Sequence, residues 1–258
     1  MSGDAFFDLD GEVFVGRDPA RGPWDERLCH AGPVAAAIAR QVERAFGNDF
    51  RLVRLTMDLV RPVPMAGFSV KVETGRKGRR LAIGSANVVD SEGRTAILAS
   101  VALLRPNAIA GPQPLPVSAN RLADASDGPF PISQSRHGLP AFGDCVDIRY
   151  PPGQTGTPGP TKLWMRTPPL LLNETPSSFQ RLCPIADCGN AISRLAEVTE
   201  TGFVNSDLTI VAHRMTNADW LMSDSISHWH PDGIGMSDSR IYDEDGPVAT
   251  ALQTLVIE

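Results

Sequence analysis

The feature that most constrains this fold is an internal repeat. Leu28-Cys29 is followed by Ala37-Ile38-Ala39-Arg40, and Leu182-Cys183 is followed at the same spacing by Ala191-Ile192-Ser193-Arg194, an offset of 154. Leu55-Thr56 with Arg61 recurs as Leu208-Thr209 with Arg214, and Asp90-Ser91-Glu92-Gly93 as Asp243-Glu244-Asp245-Gly246, both at an offset of 153. Three short matches in one order at a near-constant offset describe two copies of one unit. A chain of 258 residues has room for both, since domains run to about 100–150 residues each.

Each copy reads as short strands, one helix and then several long strands. In copy one, Phe6–Phe14 is strand-like, and Gly32-Pro33 opens a helix whose first turn tolerates proline. Val34, Ile38 and Val42 form one apolar stripe, and Gly47-Asn48 stops the helix. Strands follow at Leu52–Val63, Phe68–Thr74, Leu81–Asp90 and Thr95–Arg105. In the first, Val53, Leu55, Met57 and Leu59 alternate with Arg54, Thr56 and Asp58, the period of a half-buried antiparallel strand. Copy two places early strands at Cys145–Arg149 and Lys162–Arg166 and a helix near Pro184–Glu197. Its later strands fall at Phe203–His213, Trp220–His228, Gly235–Tyr242 and Val248–Ile257. The division is 1–105 for copy one, 106–140 for a connector rich in Pro, Ala, Ser and Asp, and 141–258 for copy two.

This order predicts an α+β fold with an antiparallel sheet wrapped around a helix, given twice. Pairing the copies edge to edge hides strand edges that are a liability when exposed, and sets the two helices side by side under one sheet. The composition, 42% hydrophobic and 21% charged, supplies a core. A net charge of −6 argues against a general nucleic-acid binder, because phosphate contacts need a basic surface. The segment Met1–Ala5 lacks a signal-peptide pattern, and no apolar run reaches the roughly 18–20 residues of a membrane span. Cys29, Cys145, Cys183 and Cys188 match no zinc or redox spacing. A cytoplasmic protein without a membrane partner is the expectation.

Arg21-Gly22-Pro23-Trp24 leads to His30-Ala31-Gly32-Pro33-Val34 in copy one. Copy two has Ala186-Asp187-Cys188-Gly189-Asn190-Ala191, then Asn205-Ser206-Asp207-Leu208-Thr209, His213-Arg214 and the ending Gly246-Pro247-Val248-Ala249-Thr250-Ala251-Leu252-Gln253. With these segments the chain resembles the double-hotdog acyl-CoA thioesterases, in particular the thioesterase II type. The resemblance implies hydrolysis of an acyl-CoA by a water that an Asp, a Thr and a Gln orient. The Asp falls on Asp187 and the Gln on Gln253, while the Thr position holds Asn205, an amide that still donates and accepts hydrogen bonds. The resemblance implies no cofactor and, by analogy, assembly into pairs of double hotdogs.

The repeat adds a comparison internal to the chain. Pro33, Leu52 and Ser100 stand in copy one where Asp187, Asn205 and Gln253 stand in copy two, so only copy two carries the polar set. A carboxylate can serve as general base, and backbone N–H groups at a helix start can hold an oxyanion. Gly32 and the groups near Gly189 are candidate donors, His30 lines the site or caps the helix, and the acyl chain is expected between the two helices. No Gly-x-Ser-x-Gly elbow is present, which disfavours a serine nucleophile. Arg76-Lys77-Gly78-Arg79-Arg80 is either a solvated hairpin tip or, through Arg76 and Arg79, a clamp for CoA phosphates. His228-Trp229-His230 lacks a third metal ligand, so no metal site is assigned. Two rivals stand beside hydrolysis: a non-catalytic acyl-CoA binding protein, and a hotdog enoyl-CoA hydratase using Asp25 and His30.

Overall fold

The computed structural model describes residues 4–111, 121–132 and 138–258; parts of the predicted connector lie outside them. Copy one opens with β1 (Phe7–Asp10) and β2 (Val13–Gly16), then α1 (Ala31–Phe46), β3 (Arg51–Leu59), β4 (Phe68–Lys77), β5 (Leu81–Asp90) and β6 (Thr95–Leu104). The single strand expected over Phe6–Phe14 is a hairpin. Gly11-Glu12, with Gly11 at φ 61°, turns the chain back on itself, glycine being favoured at the first position of such two-residue turns. The predicted stripe of α1 is buried, and Ala35, Ala36, Ala37 and Ala39 are buried with it.

Copy two contributes β7 (Ser126–Gly128), β8 (Asp147–Tyr150), β9 (Thr161–Arg166), α2 (Ser178–Ala186), α3 (Gly189–Ile192), β10 (Phe203–Asn205), β11 (Asp207–Ala212), β12 (Trp220–Trp229), β13 (Ile234–Asp243) and β14 (Gly246–Ile257). Residues 126–128, read as connector, pair with β8 at the outer edge of the sheet. The helix expected over Pro184–Glu197 starts earlier and is broken. Ser177 caps it, its hydroxyl accepting from the Gln180 N–H at 3.2 Å. Pro184 falls inside α2, where it has no N–H for the preceding turn. The helix stops at Asp187, Cys188 lies between, and α3 adds one further turn.

One sheet runs through both copies, in the order β1-β2-β4-β5-β6-β3-β11-β14-β13-β12-β9-β8-β7, with β10 pairing β14. The copies join where β3 and β11 run antiparallel, Leu55 opposite Ile210, Thr56 opposite Thr209 and Met57 opposite Leu208. Thr56 and Thr209 are repeat counterparts, and their hydroxyls lie 3.2 Å apart. The local two-fold axis relating the copies therefore passes between them. The concave face wraps α1 and α2, which touch: a Cβ on Gly32 would lie 2.9 Å from Pro184 Cα. This is the twice-given α+β architecture expected from the repeat, and the double hotdog that the resemblance implies. Among the described residues, no helix is long and apolar enough to cross a membrane.

Candidate active site

Asp187 stands where α2 gives out, so its side chain is fixed by backbone on both sides of the break. It is 4% exposed. Oδ1 accepts from Asn205 Nδ2 at 2.9 Å and from Gln253 Nε2 at 3.2 Å. Gln253 Nε2 also lies 3.0 Å from the Asp187 carbonyl oxygen, while Gln253 Oε1 accepts from the Asn190 N–H at 3.0 Å. Gln253 on β14 thus clips both sides of the helix break. Asn205 reaches Asp187 from the end of β10, just before the chain bends at Ser206 into β11. The three polar residues named from the sequence converge.

The fourth partner comes from copy one. His30 Nδ1 lies 3.0 Å from Asp187 Oδ2. His30 is the residue before α1, and the Gly32 N–H points to the same Nδ1 at 3.2 Å. The His30 ring stacks on Phe142 with centroids 4.3 Å apart and planes 18° from parallel. Of the pair a hydratase would use, the Asp25 carboxylate takes the Arg27 backbone N–H and guanidinium at 2.7–3.0 Å, while His30 turns to Asp187. A carboxylate offers about four acceptor positions. Asn205 and Gln253 fill two, both on Oδ1; His30 Nδ1 stands beside Oδ2, which keeps a further position for a water.

Asp187, His30 and Asn205 line a cavity of ≈380 Å³ whose walls include Trp24, Leu59, Ile97, Phe130 and Phe142. That volume lies in the usual range of small-molecule sites. The cavity sits at the N-terminal end of α1, under the segment that leads into copy two. The expected course between the helices is closed by the contact of Gly32 with Pro184. The covering segment is tied down by Arg21: its carbonyl accepts from the Phe142 N–H at 2.9 Å, and its Nη1 reaches the Pro140 carbonyl at 2.5 Å. Phe130 and Phe142 had no signal in the sequence. Trp24 and Arg21 belong to a motif whose contacts the sequence does not specify.

Gly189 does not line the cavity. It faces the sheet, where an added Cβ would meet Ser239 Oγ, Ser237 Oγ at 2.8 Å and Gln253 Oε1 at 3.2 Å. Its role is close approach, which lets α3 settle against Gln253. Ser223, Ser225, Ser227, Ser237 and Ser239 are all buried on this face; their repeat counterparts are Val70, Val72, Thr74, Gly84 and Ala86. Arg76 and Arg79 are exposed at the β4–β5 hairpin and also lie outside the cavity lining. Arg61 is the cation that the lining contains. Cys29 lines the cavity too, but burial pushes its thiol up to about 12. His228 and His230 are exposed, and among the described residues no group of three potential metal ligands gathers.

A second cavity, of ≈170 Å³, is lined in part by Ala36, Pro184 and Ile185. These are the repeat counterparts of Asn190, His30 and Ala31. The two-fold relation therefore generates two hollows, and the polar set equips one.

Comparison with known proteins agrees with this architecture. Residues 20–106 match the acyl-CoA thioesterase N-terminal domain and residues 119–257 the acyl-CoA thioesterase C-terminal domain. No curated protein gives a significant sequence match. Among solved structures, a candidate thioesterase from Novosphingobium aromaticivorans superposes with a TM-score of 0.78 at 20% identity, covering 98% of both chains. A hot dog fold protein of unknown function from Alicyclobacillus acidocaldarius gives 0.72 at 14% identity, over 98% of this chain and 95% of that one. An acyl-CoA thioesterase II from Mycobacterium marinum gives 0.63 at 17% identity, over 97% and 93%. With both family domains matched in order along its two copies, the chain belongs to the acyl-CoA thioesterase family and is a thioester hydrolase.

Proposed function

We propose that this protein hydrolyses an acyl-CoA to the free acid and CoA at the Asp187 site. The observation that carries this reading is the buried Asp187 carboxylate, bonded by Asn205, Gln253 and His30, opening on an apolar cavity. Water takes the remaining acceptor position and adds to the thioester carbonyl carbon as its proton passes to Asp187. The carbonyl oxygen gains the negative charge, which a backbone N–H at the start of α1, that of Gly32, stabilises. On collapse the C–S bond breaks and the proton moves from Asp187 to the departing CoA sulfur.

Asn205 serves in place of the family's Thr. Its Nδ2 donates to Asp187, which keeps that carboxylate oriented and leaves the amide oxygen as an acceptor for water. The acyl group lies against Trp24, Leu59, Ile97 and Phe142. Cys29 is not a nucleophile, because its thiol stays protonated at neutral pH. Compartment and assembly follow the family analogy: a cytoplasmic enzyme working as pairs of double hotdogs.

Asp187→Asn tests the assignment. The substitution keeps the volume and removes the base, and a general base contributes about 10²–10⁴ in rate. CoA release, followed with a thiol reagent across acyl-CoAs from acetyl to long-chain and aromatic, is expected to fall by that factor. Unchanged turnover would overturn the role. Tight acyl-CoA binding without thiol release from the parent protein would favour the non-catalytic rival.

A further inference from the structure

His30 Nδ1 faces two partners that make opposite demands. The Gly32 N–H, at 3.2 Å, can only donate. An ionised Asp187 Oδ2, at 3.0 Å, can only accept. A ring nitrogen is either a donor or an acceptor, so Nδ1 satisfies one partner at a time. If Nδ1 carries the proton, it bonds to ionised Asp187 and the Gly32 N–H is released. If the proton sits on Nε2, Nδ1 accepts from Gly32 and no longer donates to Asp187. The Phe142 stack holds the ring in place, so the choice is made by proton position and not by swinging the side chain away.

We infer that His30 is a positioning residue whose tautomer couples two requirements of hydrolysis: an Asp187 carboxylate held by a histidine donor and an uncapped Gly32 N–H. Gly32 lies in the first turn of α1, where N–H groups have no partner inside the helix and the helix dipole favours negative charge. In the Nδ1–H form the enzyme presents its base and its oxyanion donor together. In the Nε2–H form the Gly32 N–H is capped and Asp187 has lost its histidine donor. The repeat shows the same linkage by omission: Pro184, the counterpart of His30, lines the second cavity, and Pro33 stands where the counterpart of Asp187 would be.

The inference rests on Asp187 acting as base, and its test reads the proton directly, without turnover. The five histidines are labelled with ¹⁵N in the ring, and His30 is assigned by loss of its signals in His30→Asn. Spectra are taken at a pH where the ring shifts have stopped changing on the alkaline side. In the parent protein His30 is expected to be protonated at Nδ1. In Asp187→Ala, where the acceptor is gone and Gly32 remains, it is expected to switch to Nε2–H. An unprotonated Nδ1 in the parent, or the same tautomer in both proteins, overturns the proposal.

Kinetics supply the second arm. His30→Leu removes the donor and is expected to lower kcat about 10–100-fold with KM little changed, the pattern of an interaction made in the transition state. His30→Asn places an amide donor near the Nδ1 position and is expected to recover most of the loss. Equal losses in Leu and Asn variants that both fold would also overturn it. The expected tautomers in a protein that turns over no acyl-CoA would instead count against the functional reading alone.

Discussion

Cys29 shows how proximity and reactivity separate at the scale of one residue. It lines the cavity, yet burial holds the thiol at about 12, and the thiolate is the nucleophilic form. Cys29→Ala is expected to retain turnover close to the parent's, and thiol alkylation at neutral pH to spare Cys29; rapid inactivation by an alkylating reagent would contradict this. Asp187, Asn205 and Gln253 were legible because they sit in motifs and because Pro33, Leu52 and Ser100 replace them in the other copy. The contact between His30 and Asp187 was not. The two lie far apart along the chain, and the local spacing drew attention to Asp25, whose carboxylate Arg27 occupies. A spacing within one segment carries no information about a partner delivered by the other copy.

Among the elements, the broken helix of copy two explains most of the site. It starts ahead of the expected Pro184, because Ser177 with Gln180 three residues later forms the N-terminal signal. Ser177 Oγ accepts from the Gln180 N–H and donates to Glu43 Oε1 of α1 at 2.8 Å. Ser177→Ala is expected to lower stability by about 1 kcal/mol, the usual worth of an N-cap, read as a lower urea midpoint at unchanged slope. The β13–β14 turn carries a second device. Burial pushes the Asp243 carboxyl up, but hydrogen bonds from Arg214 and Thr216 outweigh this and hold it below the ordinary carboxylate value. Such a group stabilises the fold above its unfolded pKa, and that contribution is lost as pH falls through its lower folded value. Asp243→Asn is therefore expected to be less stable than the parent at neutral pH. The gap should narrow as pH drops below about 4; thermal melts across that range check the sign.

The molecule as a whole was the most legible level, since an offset repeat needs no knowledge of contacts. Thr56 and Thr209, matched first as letters, meet across the seam. What stayed hidden was the segment over the cavity, because Phe130 and Phe142 lie in a stretch with neither periodicity nor repeat counterpart. The continuous sheet and the shared helix contact make the copies one cooperative unit. Guanidinium unfolding is expected to show a single transition, with far-ultraviolet dichroism and tryptophan fluorescence coincident, although Trp24 lies in copy one and Trp164, Trp220 and Trp229 in copy two. Two separated transitions would contradict this.

The seam between β3 and β11 has a further consequence. It is built from strands, backbone bonds and side chains that do not include the stretch joining the copies. The halves of the proposed reaction machinery fall on either side of it, with His30 and Gly32 on one and Asp187, Asn205 and Gln253 on the other. Severed between them and co-expressed, the two fragments would reassemble by sheet complementation, and thioester cleavage would serve as its own reporter of their association.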